Sequence, residues 1–180
     1  MSDLQGRILD AAFDLTTSQG WPAVTMAAVG TAAGVSRQSV YNEFGNRQAL
    51  AEALVGREVG RFLAAVDEEL LAASSPSDAA ERAARRVFTM AADNPLLHAV
   101  LSAAGGSSSE LLPLLTSQSA PLIDAAVAQV SATMRARFDE LPAALDAYLD
   151  SIVRVVLSHL VQPGSADADD VAVLVRRVFS

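Results

Sequence analysis

The stretch Thr25–Phe44, TMAAVGTAAGVSRQSVYNEF, decides the fold of this chain, because it predicts two short helices joined by a sharp turn. Its first half is rich in alanine, the strongest helix former, and the opening threonine can cap that helix with its hydroxyl. Gly34 supplies the positive φ that a tight turn needs, and Ser36 can cap the second helix, Arg37–Phe44. The stretch therefore predicts a helix-turn-helix.

The second of these helices has two different faces. Val40 and Phe44, spaced i and i+4, point to a core, while polar and hydrogen-bonding residues occupy the remaining surface. A short helix with an apolar back and a hydrogen-bonding front is what reading DNA in the major groove requires.

Composition limits the class of protein. The chain has 180 residues, 51% hydrophobic and 5% aromatic, with no cysteine, so disulfides, thiolate zinc sites and a cysteine nucleophile are excluded. No signal peptide is apparent at the N-terminus. The most apolar run, 152–161, is too short to cross a bilayer and contains Arg154 and His159. The sequence predicts a soluble cytoplasmic protein with no membrane partner.

Charge argues against binding nucleic acid through the whole surface. The net charge is −8, every basic residue is arginine, and residues 1–60 hold four arginines against six acids. Such a surface repels a polyanion at long range. DNA binding would then depend on a few placed residues.

Helical periodicity continues along the rest of the chain, and no segment reads as a strand. The predicted fold class is all-α, with an N-terminal three-helix unit joined by a long helix to a C-terminal helical bundle. Further helices are predicted over 4–19, 47–73, 77–93, 95–104, 118–138, 142–161 and from 167 onward, with a short turn over 110–115 and loops over 105–109 and 162–166.

The last helix carries an apolar stripe, and the helix before it is apolar around most of its circumference, which predicts packing partners on several sides. One side can pack on the chain's own bundle, and the other is a candidate for a second subunit. A fully intramolecular core is the alternative. The candidate dimer residues are Leu149, Ile152, Val153, Val156, Leu160, Val171, Leu174, Val175 and Val178.

The N-terminal motifs resemble those of TetR/AcrR-type transcriptional regulators. The resemblance is carried by ILDAAFDL in the first helix, by Thr25–Val29, by AAGVSRQSVYNEF up to Phe44, and by NRQAL over Asn46–Leu50. It covers about the first quarter of the chain, and the remainder matches only the family's architecture. It implies a DNA-binding domain over 1–48, with its motif at 25–44, and a ligand-binding and dimerisation domain over 49–180.

The resemblance also implies roles for matching positions. Thr25 would contact a phosphate, and Arg47, where the family usually has lysine, would contact another. Tyr41 would lie against the DNA backbone with Asn42 beside it, although Tyr41 could equally pack on the core. The candidate DNA-binding residues are Thr25, Ser36, Arg37, Gln38, Ser39, Tyr41, Asn42 and Arg47.

Two of these residues have side chains suited to reading bases. Arg37 can bind guanine and Gln38 can bind adenine, each through two hydrogen bonds. For Arg37 the alternative is a solvated surface residue or one paired with Glu43. Asn42 departs from the basic or histidine residue common at its position in the family.

The middle helices supply residues for a mostly apolar ligand pocket. Together with the resemblance, they suggest an apolar or amphipathic ligand such as a fatty acyl compound, an alkane-type molecule or a drug. Ordinary core packing is the alternative for each residue. The candidates are Phe62, Phe88, His98, Leu101, Leu112, Leu115, Ile123, Val127 and Tyr148.

The sequence contains few residues in catalytic or metal-binding patterns. His98 and His159 lie on different predicted helices, and no Ser-His-acid set or phosphate loop is present. The sequence therefore predicts no enzyme activity, no cofactor and no metal site. It predicts a homodimeric repressor that binds a pseudo-palindromic operator in double-stranded DNA and is released by ligand. The alternative is a helical small-molecule-binding or partner-binding protein with little specific DNA affinity.

Overall fold

The computed structural model describes residues 3–102, 110–162 and 167–179, and within them every regular element is helical. The predicted loop at 105–109 and most of the one at 162–166 lie outside the described residues. The α-helices are α1 (Asp3–Gln19), α2 (Met26–Ala33), α3 (Arg37–Phe44), α4 (Arg47–Ala72), α5 (Pro76–Ala92), α6 (Pro95–Ser102), α7 (Leu112–Leu115), α8 (Ala120–Arg137), α9 (Leu145–Val161) and α10 (Ala168–Val178). The predicted all-α fold is confirmed.

The chain forms two compact units, whose limits differ from the predicted domain boundary at residue 48. The first unit contains residues 1–58 and 94–114, and the second contains 59–93 and 115–180. Helix α4 therefore contributes its first half to one unit and its second half to the other. Helix α6 belongs to the first unit, which no local sequence pattern indicated.

The first unit is built around the helix-turn-helix. Helix α1 packs on α2 and on α6, and α2 packs on α3. Its core side chains include Ile8, Leu9, Val29, Val40 and Leu50, all of which are fully buried. These residues lie on one side of their helices, as the helical spacing of the sequence predicts. Their removal from water stabilises the packing of the helices.

The second unit has two apolar clusters. One joins Leu70 of α4, Met134 of α8 and Leu149 of α9. The other joins Phe88 of α5, Val156 of α9 and Val171 of α10. Helices α5 and α9 both contribute to each cluster, α5 through Ala79 and Ala80, so these two helices connect the clusters.

One local prediction needs correction. The helix predicted to begin at Pro142 begins at Leu145, because the Leu145 N–H donates to the Pro142 carbonyl (3.1 Å) and closes a turn there. Between α1 and α2, Trp21–Ala23 form one turn of 3₁₀ helix, closed by a hydrogen bond from the Val24 N–H to the Trp21 carbonyl (2.9 Å).

Candidate DNA-binding site and subunit surface

The turn between α2 and α3 depends on a glycine. Gly34 has φ 70° and ψ 35°, the left-handed conformation that costs a side-chain-bearing residue energy. The next residue, Val35, donates its N–H to the Gly30 carbonyl (2.8 Å). Arg7 of α1 donates from Nη2 to the Ala33 carbonyl (2.6 Å), which places a cation at the C-terminal end of α2, where the helix dipole favours it. These contacts set the angle between the two helices.

Both helices of the motif are capped as the sequence predicts. The Oγ1 of Thr25 accepts a hydrogen bond from the Ala28 N–H (3.0 Å), and the Oγ of Ser36 accepts one from the Ser39 N–H (3.0 Å). The hydroxyls of Ser36 and Ser39 also lie 2.9 Å apart. Capping uses the acceptor side of Thr25 and leaves its hydroxyl proton free to donate to a phosphate.

The outward face of α3 carries two hydrogen-bonded pairs, each spaced four residues apart. Arg37 donates from Nη2 to the Tyr41 hydroxyl (3.3 Å), and its guanidinium lies 5.2 Å from the centre of that ring. Gln38 donates from Nε2 to Oδ1 of Asn42 (2.9 Å). Arg37, Gln38 and Asn42 are exposed, whereas Tyr41 is half-buried. Among the described residues, Tyr41 rather than Glu43 is the partner of Arg37.

These pairs restrict the side chains that would reach bases. A guanidinium held against a tyrosine and an amide held by a second amide have fewer rotamers to lose on binding than free side chains. The face still presents donors from Arg37 and both donor and acceptor groups from the Gln38–Asn42 pair. That set of groups matches the hydrogen-bonding edges of bases in a major groove.

Arg47, at the first position of α4, is held by the protein itself. It donates from Nε to the Val24 carbonyl (2.6 Å), from Nη2 to the Trp21 carbonyl (2.7 Å) and from Nη1 to Oε1 of Glu110 (2.8 Å). Its guanidinium also lies 4.9 Å from the centre of the Trp21 ring. The Arg47 side chain is 31% exposed, so the predicted phosphate contact would be limited to the two N–H groups of the guanidinium that these three bonds do not use.

Two members of this cluster were missed by the sequence analysis. Trp21 donates from Nε1 to Oε2 of Glu110 (3.1 Å), so both carboxylate oxygens of Glu110 are occupied. The pairs Trp21–Glu110 and Arg47–Glu110 are far apart in the chain, and no local pattern could have found them. A weaker signal did exist, because a cation at a helix N-terminus is unfavourable unless other groups compensate for it.

The predicted pocket residues are divided between the two compact units. His98, Leu101 and Leu112 belong to the first unit, and the others belong to the second. Within the second unit, Phe88 lies in the cluster with α10, while Val127 packs against the cluster with α8. His98 and Tyr148 are exposed. The structure therefore does not gather Phe88, Val127 and Tyr148 around one site, and the pocket stays a prediction.

Four of the predicted dimer residues are part of the chain's own core. Leu149 lies in the first cluster of the second unit, and Val156, Val171 and Val175 lie in the other. Ile152 and Leu160 pack against that second cluster. The four core side chains therefore present little apolar surface to a second copy. Ile152, Val153 and Leu160 are half-buried, and their part in a dimer stays a prediction.

The exposed apolar residues of the same two helices form a different set. Tyr148 and Val155 on α9, and Val173, Leu174 and Val178 on α10, are exposed large apolar side chains. Leu174 and Val178 were among the predicted dimer residues, whereas Tyr148 had been assigned to the pocket. We call these five residues the apolar surface of α9 and α10. Apolar residues concentrated on two neighbouring helices are typical of a protein–protein contact.

Ion pairs hold α10 on α5. Arg85 pairs with both Glu81 and Asp169, and Arg176 donates from Nη1 to Oε2 of Glu81 (3.0 Å). The hydrogen bond from Arg85, reinforced by Arg176, holds the pKa of Glu81 below its ordinary value of 4.5. These pairs position α10 and so orient its exposed apolar side chains.

The fold and this site define a helix-turn-helix DNA-binding protein with a separate helical unit. Residues 8–54 match the family described as bacterial regulatory proteins, tetR family, and residues 76–180 match the bacterial tetracyclin repressor, C-terminal domain. Together these matches span most of the chain. No helix among the described residues is long and apolar enough to cross a membrane.

Individual proteins agree with this assignment. The chain is 36% identical to the HTH-type transcriptional regulator AlkX of Mycobacterium tuberculosis, over 97% of this chain and 83% of that protein. The crystal structure of the TetR family repressor AlkX from Dietzia sp. strain DQ12-45-1b aligns with a TM-score of 0.78 and 27% identity, covering 97% of this chain and 91% of that one. The fatty acid degradation regulator FadR from Bacillus halodurans shares the fold, with a TM-score of 0.61 at 17% identity over 99% of this chain and 95% of that one.

This chain belongs to the TetR family of transcriptional regulators. It is similar to the AlkX proteins along nearly its whole length. Members of this family are not enzymes, in agreement with the thin catalytic patterns of the sequence.

Proposed function

We propose that this chain is a homodimeric repressor that binds a pseudo-palindromic operator and leaves it when an apolar or amphipathic ligand binds. The observation that carries the proposal is the outward face of α3, where Arg37 and Gln38 are paired with Tyr41 and Asn42. Arg37, Gln38 and Asn42 are exposed and contribute nothing to the buried core, so a role in recognition accounts for them better than a role in folding.

In this proposal the DNA contacts divide by chemistry. Arg37 and Gln38 read bases, with Asn42 beside Gln38. Thr25, Ser36, Ser39 and Tyr41 supply hydroxyl groups to phosphates and position the helix. Arg47 acts instead through the protein, because its donors are directed to the Val24 and Trp21 carbonyls and to Glu110.

Few phosphate contacts are available to a chain with this charge. The face of α3 carries one arginine and no lysine, and the net charge is −8. Affinity must then come from base contacts and from two copies bound at once. A C2 dimer places two recognition helices on half-sites separated by about one turn of DNA, which is why a pseudo-palindrome is expected.

The dimer contact in this proposal is the apolar surface of α9 and α10. Its five side chains are exposed in the single chain although all are apolar or aromatic. A two-fold arrangement places the same surface on both copies and buries it against itself. Removal of this area from water is the main drive for association.

The ligand class rests on the relatives and on composition. The AlkX repressor from Dietzia is described as implicated in the biodegradation of n-alkanes. The predicted pocket residues of this chain are mostly aliphatic or aromatic, and none is an acid or an arginine. A long-chain alkane or a fatty compound derived from one fits that composition. We therefore propose that the chain controls genes that handle such compounds.

Mobility shift with labelled DNA from upstream of the chain's own gene tests the DNA-binding part of this proposal. Specific binding should survive an excess of unrelated duplex at physiological salt. A confirmed dimer that binds no DNA specifically, even at low salt, would favour a ligand-binding or partner-binding protein of the same fold.

The ligand part needs a second titration. Hexadecane or palmitate added to the protein–operator complex should release the DNA, whereas resorcinol, a small polar aromatic compound, should not. Release by resorcinol but by neither long-chain compound would contradict the proposed ligand class.

A further inference from the structure

Glu110 connects three parts of the first compact unit. Its Oε1 accepts from Nη1 of Arg47 (2.8 Å), and its Oε2 accepts from Nε1 of Trp21 (3.1 Å). Trp21 precedes α2, Arg47 begins α4, and Glu110 lies two residues before the start of α7. Glu110 falls within the matched C-terminal family domain, whereas both of its partners fall within the matched N-terminal domain.

The chemistry of Arg47 explains why an acid is needed there. The N-terminal end of a helix carries a partial positive charge, so an arginine at the first position of α4 is disfavoured on its own. Glu110 neutralises this cation and uses one of its donor groups. Its Nη2 and Nε then each direct an N–H to a carbonyl, Nη2 to that of Trp21 (2.7 Å) and Nε to that of Val24 (2.6 Å).

Those carbonyls belong to the segment that leads into α2. Val24 is adjacent to Thr25, the residue that caps α2 through the Ala28 N–H. Trp21 is held twice, by its carbonyl and by its indole N–H, and it also lies under the guanidinium of Arg47. The position of the start of α2 therefore depends on Arg47, and the position of Arg47 depends on Glu110.

We infer that Glu110 is a positioning residue for DNA binding, which fixes the entry into the helix-turn-helix through Arg47 and Trp21. DNA affinity then depends on one side chain from the C-terminal family domain. The part of this inference that concerns DNA rests on the proposed function. The part that concerns the segment 21–25 stands on the contacts alone.

A competing explanation predicts the opposite change in DNA affinity when Glu110 loses its charge. If Glu110 positions the motif, loss of its charge weakens specific binding and leaves the salt dependence unchanged. If Glu110 instead competes with DNA phosphates for Arg47, the same change frees a cation. Binding would then become tighter and its salt dependence steeper.

Fluorescence tests the contact without DNA, because Trp21 is the only tryptophan in the chain. Glu110→Gln keeps the size of the side chain but removes its charge and one acceptor. It should shift Trp21 emission and increase its quenching by acrylamide. The control is Glu52→Gln, an exposed acid in the same unit whose hydrogen bond is to Gln48, and it should leave both signals unchanged. Equal signals for the two variants would overturn the inference.

DNA binding tests the functional half, with a duplex selected by the wild-type protein from a random pool. Glu110→Gln should bind this duplex about tenfold more weakly, within the usual range of couplings between sites. Glu52→Gln removes the same charge and should not bind more weakly. Trp21→Phe keeps the ring beside Arg47 but removes the indole N–H, and should have a smaller effect than Glu110→Gln.

Three results would count against the inference. Equal affinities for Glu110→Gln and Glu52→Gln would overturn it, as would tighter binding by Glu110→Gln with a steeper salt dependence. A wild-type protein that selects no duplex would overturn the proposed function and with it the DNA half of the inference. In that case the Trp21 signals still decide whether Glu110 holds the segment 21–25.

Discussion

Helices α3 and α10 each bury one side in their own unit, but the chemistry of their outward sides is opposite. Each buries one side in its own unit, through Val40 in α3 and through Val171 and Val175 in α10. The other side of α3 presents Arg37 and Gln38 in hydrogen-bonded pairs, whereas that of α10 presents Leu174 and Val178. Polar groups can be exposed to water and still bind DNA, but apolar groups gain free energy when another protein surface covers them. We therefore propose a different partner for each helix, DNA for α3 and a second copy of the chain for α10.

The largest effect should follow from placing a charge on the exposed side of α10. Leu174→Glu would bury an unpaired carboxylate in the proposed dimer contact, so the dissociation constant of the dimer should rise by at least about a hundredfold. Light scattering across a concentration series measures this change. The matched control is Leu71→Glu, because Leu71 is 59% exposed and Leu174 56%, while Leu71 lies on α4. Dissociation by both substitutions, or by neither, would contradict the assignment of this surface.

The next largest effect should be on stability, and it should differ between Arg47 and Arg37. Arg47→Ala removes the hydrogen bonds to the Trp21 and Val24 carbonyls and to Glu110, and should lower the free energy of unfolding by about 2 kcal/mol. Arg37→Ala removes an exposed side chain and should change it by less than about 0.5 kcal/mol. Urea unfolding followed by Trp21 fluorescence measures both. If Arg47→Ala left stability unchanged and only flattened the salt dependence of DNA binding, Arg47 would be a phosphate contact after all.

Arg37 should matter for recognition rather than for folding. Arg37→Ala should relax the preference at one operator position by about 1–3 kcal/mol, the usual value of a good arginine–guanine pair. Selection from a random duplex pool, repeated with the variant, gives the preference at each position. Arg135→Ala removes the same charge from the second unit and should leave the profile unchanged. A uniform loss of affinity on every sequence would mean that Arg37 contacts only the backbone.

The smallest effect concerns how α10 is held. The pKa of Glu81 is lowered in the folded state by Arg85 and Arg176, so its contribution to stability is fully present above 4.5 and is lost as the pH falls through the lowered value. Glu81→Gln should therefore be less stable than the wild type at pH 7, and the difference should vanish in acid. Unfolding curves of both proteins from pH 7 to pH 2 measure it. A difference independent of pH would mean that charge is not what Glu81 supplies.

The helix-turn-helix could be predicted because its determinants are local. Each determinant acts within about one turn of backbone. A capping hydroxyl accepts a hydrogen bond from the N–H three residues later, a glycine adopts the left-handed turn, and an apolar pair is spaced four residues apart. The structure confirms the caps at Thr25 and Ser36 and the bounds of α3. Even the pairs Arg37–Tyr41 and Gln38–Asn42 are contacts between consecutive helical turns.

The exposed apolar residues of the last two helices could be predicted only as a region of the chain. Helix α9 is apolar around most of its circumference, and the apolar stripe of α10 includes both Leu174 and Val175, so periodicity did not separate inward from outward positions. Packing in the second unit determined which of these residues face inward and which face outward. Leu149 and Val156 point into the core, while Tyr148 and Val155, each one residue earlier and so rotated by about 100°, are exposed.

The sequence by itself determined that this chain is helical, where its helix-turn-helix lies and which side chains face outward from α3, because hydrogen bonds and contacts within a few residues control these features. Only the tertiary structure decided that α6 belongs with the DNA-binding helices, and that Arg47 binds the Trp21 carbonyl and the Glu110 carboxylate. It also decided which apolar residues of the last two helices stay exposed. These features depend on groups distant in the chain, which meet only when the core closes.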